Sequence, residues 1–113
     1  MSLGQVPEED AVAMTINEYQ EHAKELARAF PDATVEHRLL FLVAEVGELT
    51  REVLHLRGAY ASRGKPDAGE ATERVGLEMY DVFWNLCDLA NMLGVDLEQC
   101  FAKKIDVNRQ RSW

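Results

Sequence analysis

The chain has 113 residues, 12 Lys and Arg against 20 Asp and Glu, and a formal net charge of −8. That length allows one domain, and the acidity makes the chain a poor candidate for sequence-independent nucleic-acid binding, which needs a basic surface to displace counterions from phosphates. The composition is 47% hydrophobic, enough for a core, although a chain this short often gains stability by self-association.

No apolar run approaches the roughly 20 residues that span a bilayer. The N-terminus MSLGQVPEED lacks the basic region and apolar core of a signal peptide. Cys87 and Cys100 form no CxxC and have no histidine at ligand spacing. A cytoplasmic protein with reduced thiols and no membrane contact is expected.

Residues 1–13 are acidic and read as a flexible N-terminus, leaving 14–113 as a single helical domain. Thr15 followed by Glu18 fits a capping box that opens a first helix. Its apolar positions Ile16, Tyr19, Ala23, Leu26, Ala27 and Phe30 recur at helical spacing, and Pro31 and Asp32 close it. A second helix is predicted from Val35 to Leu56, stopping before Gly58. Its first half is apolar nearly all round, the pattern of a buried helix. Residues 58–69, GAYASRGKPDAG, read as a loop. A third helix is predicted from about Ala71 to Leu93, with Gly94 as a left-handed cap. Asp96 and Gln99 fit a second capping box, opening a fourth helix from Leu97 to about Arg109. No stretch alternates as a strand does. The expected fold is all-α, a four-helix bundle of antiparallel neighbours.

Two acidic pairs stand out on these helices. On the second, Glu45, Glu48 and Glu52 fall within about 60° of one another, on a stripe that also holds His37 and Phe41. On the third, Glu78, Asp81 and Asn85 align at i, i+3 and i+7. Antiparallel packing would bring four carboxylates into one small volume. Like charges there are costly unless a cation offsets them, and oxygen-only ligands select a hard ion, Mg²⁺ or Mn²⁺. The competing reading is a pair of ordinary solvated faces. Redox iron is disfavoured because Glu48 and Asp81 stand where a di-iron bundle has His. Zinc hydrolysis is disfavoured because His22, His37 and His55 are scattered. On the fourth helix, Lys104, Asn108 and Arg111 share a face at i, i+4 and i+7. They suit polyphosphate oxygens, or simply complement the helix dipole.

Glu45-Val-Gly-Glu48, Glu78-Met-Tyr-Asp81 and the closing LGVDLEQCFAKKIDVNRQR resemble the MazG-like family of nucleoside triphosphate pyrophosphohydrolases over about residues 15–111. That all-α superfamily includes dimeric dUTPases, dCTP pyrophosphatases and phosphoribosyl-ATP pyrophosphohydrolases. The resemblance implies Mg²⁺ (with Mn²⁺ as a substitute) held by Glu45, Glu48, Glu78 and Asp81, and cleavage of a nucleoside triphosphate to monophosphate and pyrophosphate. It implies phosphate contacts from Lys104, Asn108 and Arg111, and a homodimer or homotetramer. Glu48 is the choice for general base. Asn85, Trp84 and Phe41 are candidates for contacts to the sugar or base, with His37 a weaker one, and Arg63 and Lys65 in the loop are weaker candidates for touching phosphate. The 29 residues between Glu48 and Glu78 lie at or beyond the long end for that family. Two alternatives remain open: a dUTP- or dCTP-specific enzyme of the same superfamily, and a non-catalytic helical interaction module.

Overall fold

A computed structural model describes residues 14–58 and 68–111. The expected flexible residues 1–13 and most of the 58–69 loop, with Arg63 and Lys65, lie outside them. The described residues are all-helical: α1 (Ile16–Ala27), α2 (Val35–Leu56), α3 (Ala68–Leu93) and α4 (Leu97–Arg109).

Local chemistry sets most of the boundaries. Thr15 and Glu18 form the reciprocal capping box, with Glu18 N–H donating to Thr15 Oγ1 at 3.1 Å and Thr15 N–H to Glu18 Oε1 at 2.9 Å. α1 ends at Ala27, short of Phe30, because the N–H groups of Arg28, Ala29 and Phe30 bond three residues back and tighten the chain before Pro31. Thr34 caps α2, and His37 is its reciprocal partner: Thr34 N–H donates to His37 Nδ1 at 3.4 Å. Sequence spacing had given that histidine to the acidic stripe. α3 starts at Ala68, three residues before the predicted start. Ala68 and Glu70 are good helix formers, Glu70 also suits the positive end of the helix dipole, and together they outweigh Gly69.

The α3–α4 corner carries the expected left-handed glycine. Gly94 has φ +71°, and Val95 N–H reaches back to Ala90 O at 2.8 Å. Asp96 then accepts from Gln99 N–H at 3.0 Å. Buried Gln20 ties this corner to α1. Its amide donates to Asn91 Oδ1 at 3.0 Å and Val95 O at 2.9 Å, and its Oε1 accepts from Leu97 N–H at 2.9 Å. Asn91 returns a bond to Gln20 O at 2.8 Å. Next to this clamp lies a small core of Ala23, Cys87, Ala90 and Leu97, with Tyr19 and Phe83 packed edge to face against it.

α2 packs chiefly on α3, the largest helix interface among the described residues. The pair is antiparallel: Arg38 meets Asn85 and Asp88, while Glu52 meets Arg74. α2 is not buried within one chain, contrary to its all-round apolar pattern. Leu40 and Val43 are each 68% exposed, and Leu39, Phe41 and Val46 are exposed beside them. Among the described residues, α2 is covered chiefly on its α3 side. Among the described residues, no helix is long and apolar enough to cross a membrane.

The Gln20 clamp makes a testable demand. Gln20→Ala strands the buried Leu97 N–H and removes a partner from the part-buried Val95 carbonyl, and should cost about 1–3 kcal/mol in urea denaturation. A loss within about 0.5 kcal/mol, the range of ordinary surface changes, would mean that the clamp is not structural.

Candidate metal centre and adjoining cavity

The antiparallel pair carries a polar seam with a seven-residue period. On α2 it runs through Arg38, Glu45 and Glu52, and on α3 through Asp88, Asp81 and Arg74. Residues seven apart return to nearly the same helix face. The two outer steps pair opposite charges. Arg38 Nε lies 2.7 Å from Asp88 Oδ2, and Arg74 Nε lies 3.2 Å from Glu52 Oε1. The middle step brings acids together: Glu45, Glu78 and Asp81 each offer a carboxylate oxygen, all within 4.8 Å of one another.

The electrostatics of that middle step are unfavourable without a counter-charge. Burial, then a hydrogen bond and the charge from Glu45, then the charges of Asp81 and Glu48, push Glu78 up to about 7. Near neutrality Glu78 therefore holds a proton for much of the time. Its Oε2 is buried and has no hydrogen-bond partner, an uncommon and costly state for a carboxylate oxygen. These features fit a hard cation. The donors are all oxygens, one is stranded, and bonds of roughly 2.0–2.6 Å reach oxygens at this spacing with small side-chain movements.

Glu48 stands apart from the other three acids. It is exposed and outside the group, yet near enough for its charge to act on Glu78. Glu52, on the same stripe, is taken by Arg74.

A cavity of about 130 Å³ adjoins the cluster, lined by Phe30, Arg38, Phe41, Glu45, Trp84 and Asn85. It brings together three of the residues singled out in the sequence, Asn85, Trp84 and Phe41, and shares Glu45 with the cluster. Phe30 and Trp84 stack with ring centroids 6.4 Å apart and planes at 29°. Sequence reasoning missed Arg38, although it is only 3% exposed. Its guanidinium lies 4.7 Å from the Trp84 ring centroid, within cation–π range, and its Nη1 donates to Asn85 Oδ1 at 2.7 Å. The Nε–H is not aimed at Asp88, so that contact is an ion pair rather than a hydrogen bond. The spacing of Arg38 from Glu45 and Glu52 was the signal that could have found it.

The α4 residues are placed differently. The main contacts of α4 run to α1. Lys104 and Arg111 are exposed, and Asn108 is half-buried, with its Oδ1 buried and lacking a hydrogen-bond partner. Of the thiols, Cys87 is fully buried and pushed up to about 11 by that burial, which makes it unreactive, while Cys100 is exposed.

No protein-family model matches the chain, and no curated protein matches it either.

The raised Glu78 predicts a pH dependence of stability. Its folded value, about 7, lies above its ordinary 4.5, so the folded chain binds this proton more tightly than the unfolded chain. That stabilisation is complete below about pH 4.5 and is lost as pH rises through about 7. Without divalent cation, Tm relative to Glu78→Gln should therefore fall between pH 5 and 8, and Mg²⁺ should restore it at the upper end. A difference from Glu78→Gln that stays flat over this range, with no response to Mg²⁺, would contradict the assigned environment.

Proposed function

We propose that the chain is a Mg²⁺-dependent nucleoside triphosphate pyrophosphohydrolase of MazG-like type, releasing nucleoside monophosphate and pyrophosphate. The observation that carries this reading is the convergence of Glu45, Glu78 and Asp81, with a stranded carboxylate oxygen, beside an aromatic-walled cavity. A triphosphate substrate needs both parts, a cation seat for its phosphates and apolar ring faces for its base. The acidity of the chain adds support, since polyanion binding here requires a cation as mediator.

When bound, Mg²⁺ supplies charge neutralisation of the polyphosphate and Lewis-acid polarisation of the phosphoanhydride. Glu45, Glu78 and Asp81 hold the cation. Glu48, exposed and outside that group, accepts the proton of the attacking water. The water oxygen bonds to one phosphorus of the α–β bridge, the bridging P–O bond breaks, and its electron pair stays on the bridging oxygen of the leaving group, pyrophosphate for attack at the α-phosphorus and nucleoside monophosphate for attack at the β-phosphorus. The proton passes from Glu48 to solvent. Trp84 and Phe41 present ring faces to the base, and Asn85 offers a hydrogen bond. Lys104, Asn108 and Arg111 grip the outer phosphate oxygens, which requires α4 to approach the cluster on binding, or a second copy to bring it there.

Self-association belongs to the same reading. The bare face of α2 holds Leu39, Leu40, Val43 and Val46, and α4 leaves Phe101 and Ile105 exposed. Contiguous apolar surface of this kind is uncommon on a monomer, and it supports a homodimer or homotetramer. The same face also favours a second reading, a helical interaction module without activity. A dUTP- or dCTP-specific enzyme is the nearest alternative within the enzymatic class.

Pyrophosphate release from a panel of nucleoside triphosphates, with Mg²⁺, Mn²⁺ or chelator, tests the proposal. Metal-dependent release is expected, lowered about 100-fold or more by Glu45→Gln, Glu78→Gln or Glu48→Gln. A folded protein that releases none would favour the interaction module. Sedimentation tests the assembly: the wild type should run as a dimer or larger, and Val43→Asp should shift it toward monomer. A monomeric wild type would remove self-association from the account.

A further inference from the structure

α2 carries two faces of opposite character. One is the polar seam against α3, and the other is bare. Leu39, Val43, Val46, Thr50 and Val53 recur at alternating steps of four and three, which keeps them on one side of the helix. At 100° per residue that side lies roughly 130° round the helix from Glu45 and Glu52. Leu40 and Leu54 widen it at its two ends, and every apolar side chain on it is at least 36% exposed. Thr50, its polar member, donates its hydroxyl to Val46 O at 2.9 Å, so that donor stays satisfied if the face is covered.

The face is graded in size. Leucines stand at its ends, and Gly47 stands at its middle beside Val46. Glycine in a helix interior is destabilising relative to alanine. Nothing within the chain requires it here: Gly47 does not have positive φ, and a Cβ added to it would meet nothing within 4 Å. The distance between two packed helices is set by the side chains at the contact. A glycine at the centre of an open apolar face therefore fits the close approach of a second backbone.

The charges at the two ends of α2 specify which backbone. Glu36 stands in the first turn, and Arg57 is the C-cap. Both are exposed, and neither makes an ion pair among the described residues. Two α2 helices set antiparallel about Val46 and Gly47 bring Glu36 of each copy to Arg57 of the other. Leu39 and Leu40 of each then meet Val53 and Leu54 of the other. A parallel pair would set Glu36 against Glu36 and Arg57 against Arg57, which repel.

We propose that the bare face of α2 docks on the same face of a second copy of this chain, antiparallel, with the two-fold axis passing close to Gly47. Such a contact is isologous and closes on itself. The acidic clusters of the two copies lie on the outer sides of the helix pair, each facing its own α3. The inference gives a geometry to the self-association in the proposed function. It rests on the α2 face alone and holds whether or not the chain cleaves nucleotides.

Sedimentation equilibrium of the full chain over a range of concentrations, beside Gly47→Ala, is the first test. A dimer is expected. Gly47→Ala should weaken it about tenfold or more, because a methyl group overpacks the crossing, while helix content by circular dichroism is unchanged or higher. Were the face simply solvated, the same substitution would favour the helix and leave assembly alone. Disulfide trapping reads the orientation, in a Cys100→Ser background because that native thiol is exposed. Val46→Cys should crosslink to itself, and Leu39→Cys should crosslink to Val53→Cys but not to itself. A wild type that stays monomeric, with the face left to some other partner, would overturn the inference. So would an assembly that Gly47→Ala leaves unchanged or tightens, or Leu39→Cys copies linked to each other. None of these outcomes bears on pyrophosphate release, and a dimer that releases none would remove the enzymatic reading while keeping this interface.

Discussion

The register between α2 and α3 is the constraint on which the rest depends. It is pinned on both sides by opposite charges, Arg38 against Asp88 and Glu52 against Arg74. Each pin lies seven residues from the middle step on both helices, so the two pins together force Glu45 against Asp81 and Glu78. A slip of one residue would turn the acids away from each other and break both ion pairs. The partly exposed Arg74 pair adds little stability by itself. The Arg38 pair is nearly fully buried and would be costly to break, because either partner alone would be an uncompensated charge. Its value is as much in specifying register as in net energy.

That register imposes a cost and offers a use. Three carboxylates within 4.8 Å repel one another, and Glu78 responds by holding its proton up to about pH 7. A core selected only for stability would place apolar side chains at this step, as the ridges of a helix pair ordinarily do. Instead one turn of α3 carries two acids, Glu78 and Asp81, and the next carries Trp84 and Asn85, facing the cavity. The Asp81 backbone carbonyl links the two turns by orienting Asn85. The acidic cluster and the aromatic-walled cavity thus share one helix, an arrangement that supports the proposed substrate with its charged and aromatic ends.

The legible part of the molecule was the part decided locally. Thr15 with Glu18, Asp96, and Gly94 announce their helix ends because caps and left-handed turns need those residue types. Glu45, Glu78 and Asp81 were legible because spacing fixes helix faces. Arg38 was not, since a single arginine in an apolar run gains its meaning from Asp88, fifty residues away on another helix. The cap role of His37 was hidden because histidine is an unusual partner at that capping-box position. The exposure of α2 was misread because an apolar pattern reports what a face avoids, and not whether the same chain covers it. The cationic face of α4 was readable, whereas its docking on α1 was not, because it rests on pairs far apart in the chain, Asn17 with Glu98 and Gln20 with the Leu97 N–H.

The most direct test of the account is calorimetric titration of the protein with Mn²⁺ and with Mg²⁺ near pH 6.5, repeated in buffers of different ionisation enthalpy. The apparent binding enthalpy should change with the buffer, reporting release of close to half a proton or more, because a cation at this seat displaces the Glu78 proton. Glu78→Gln should remove the buffer dependence and weaken binding. No divalent binding, or binding with neither proton release nor sensitivity to Glu78, would mean that the carboxylates of α2 and α3 do not form a cation site.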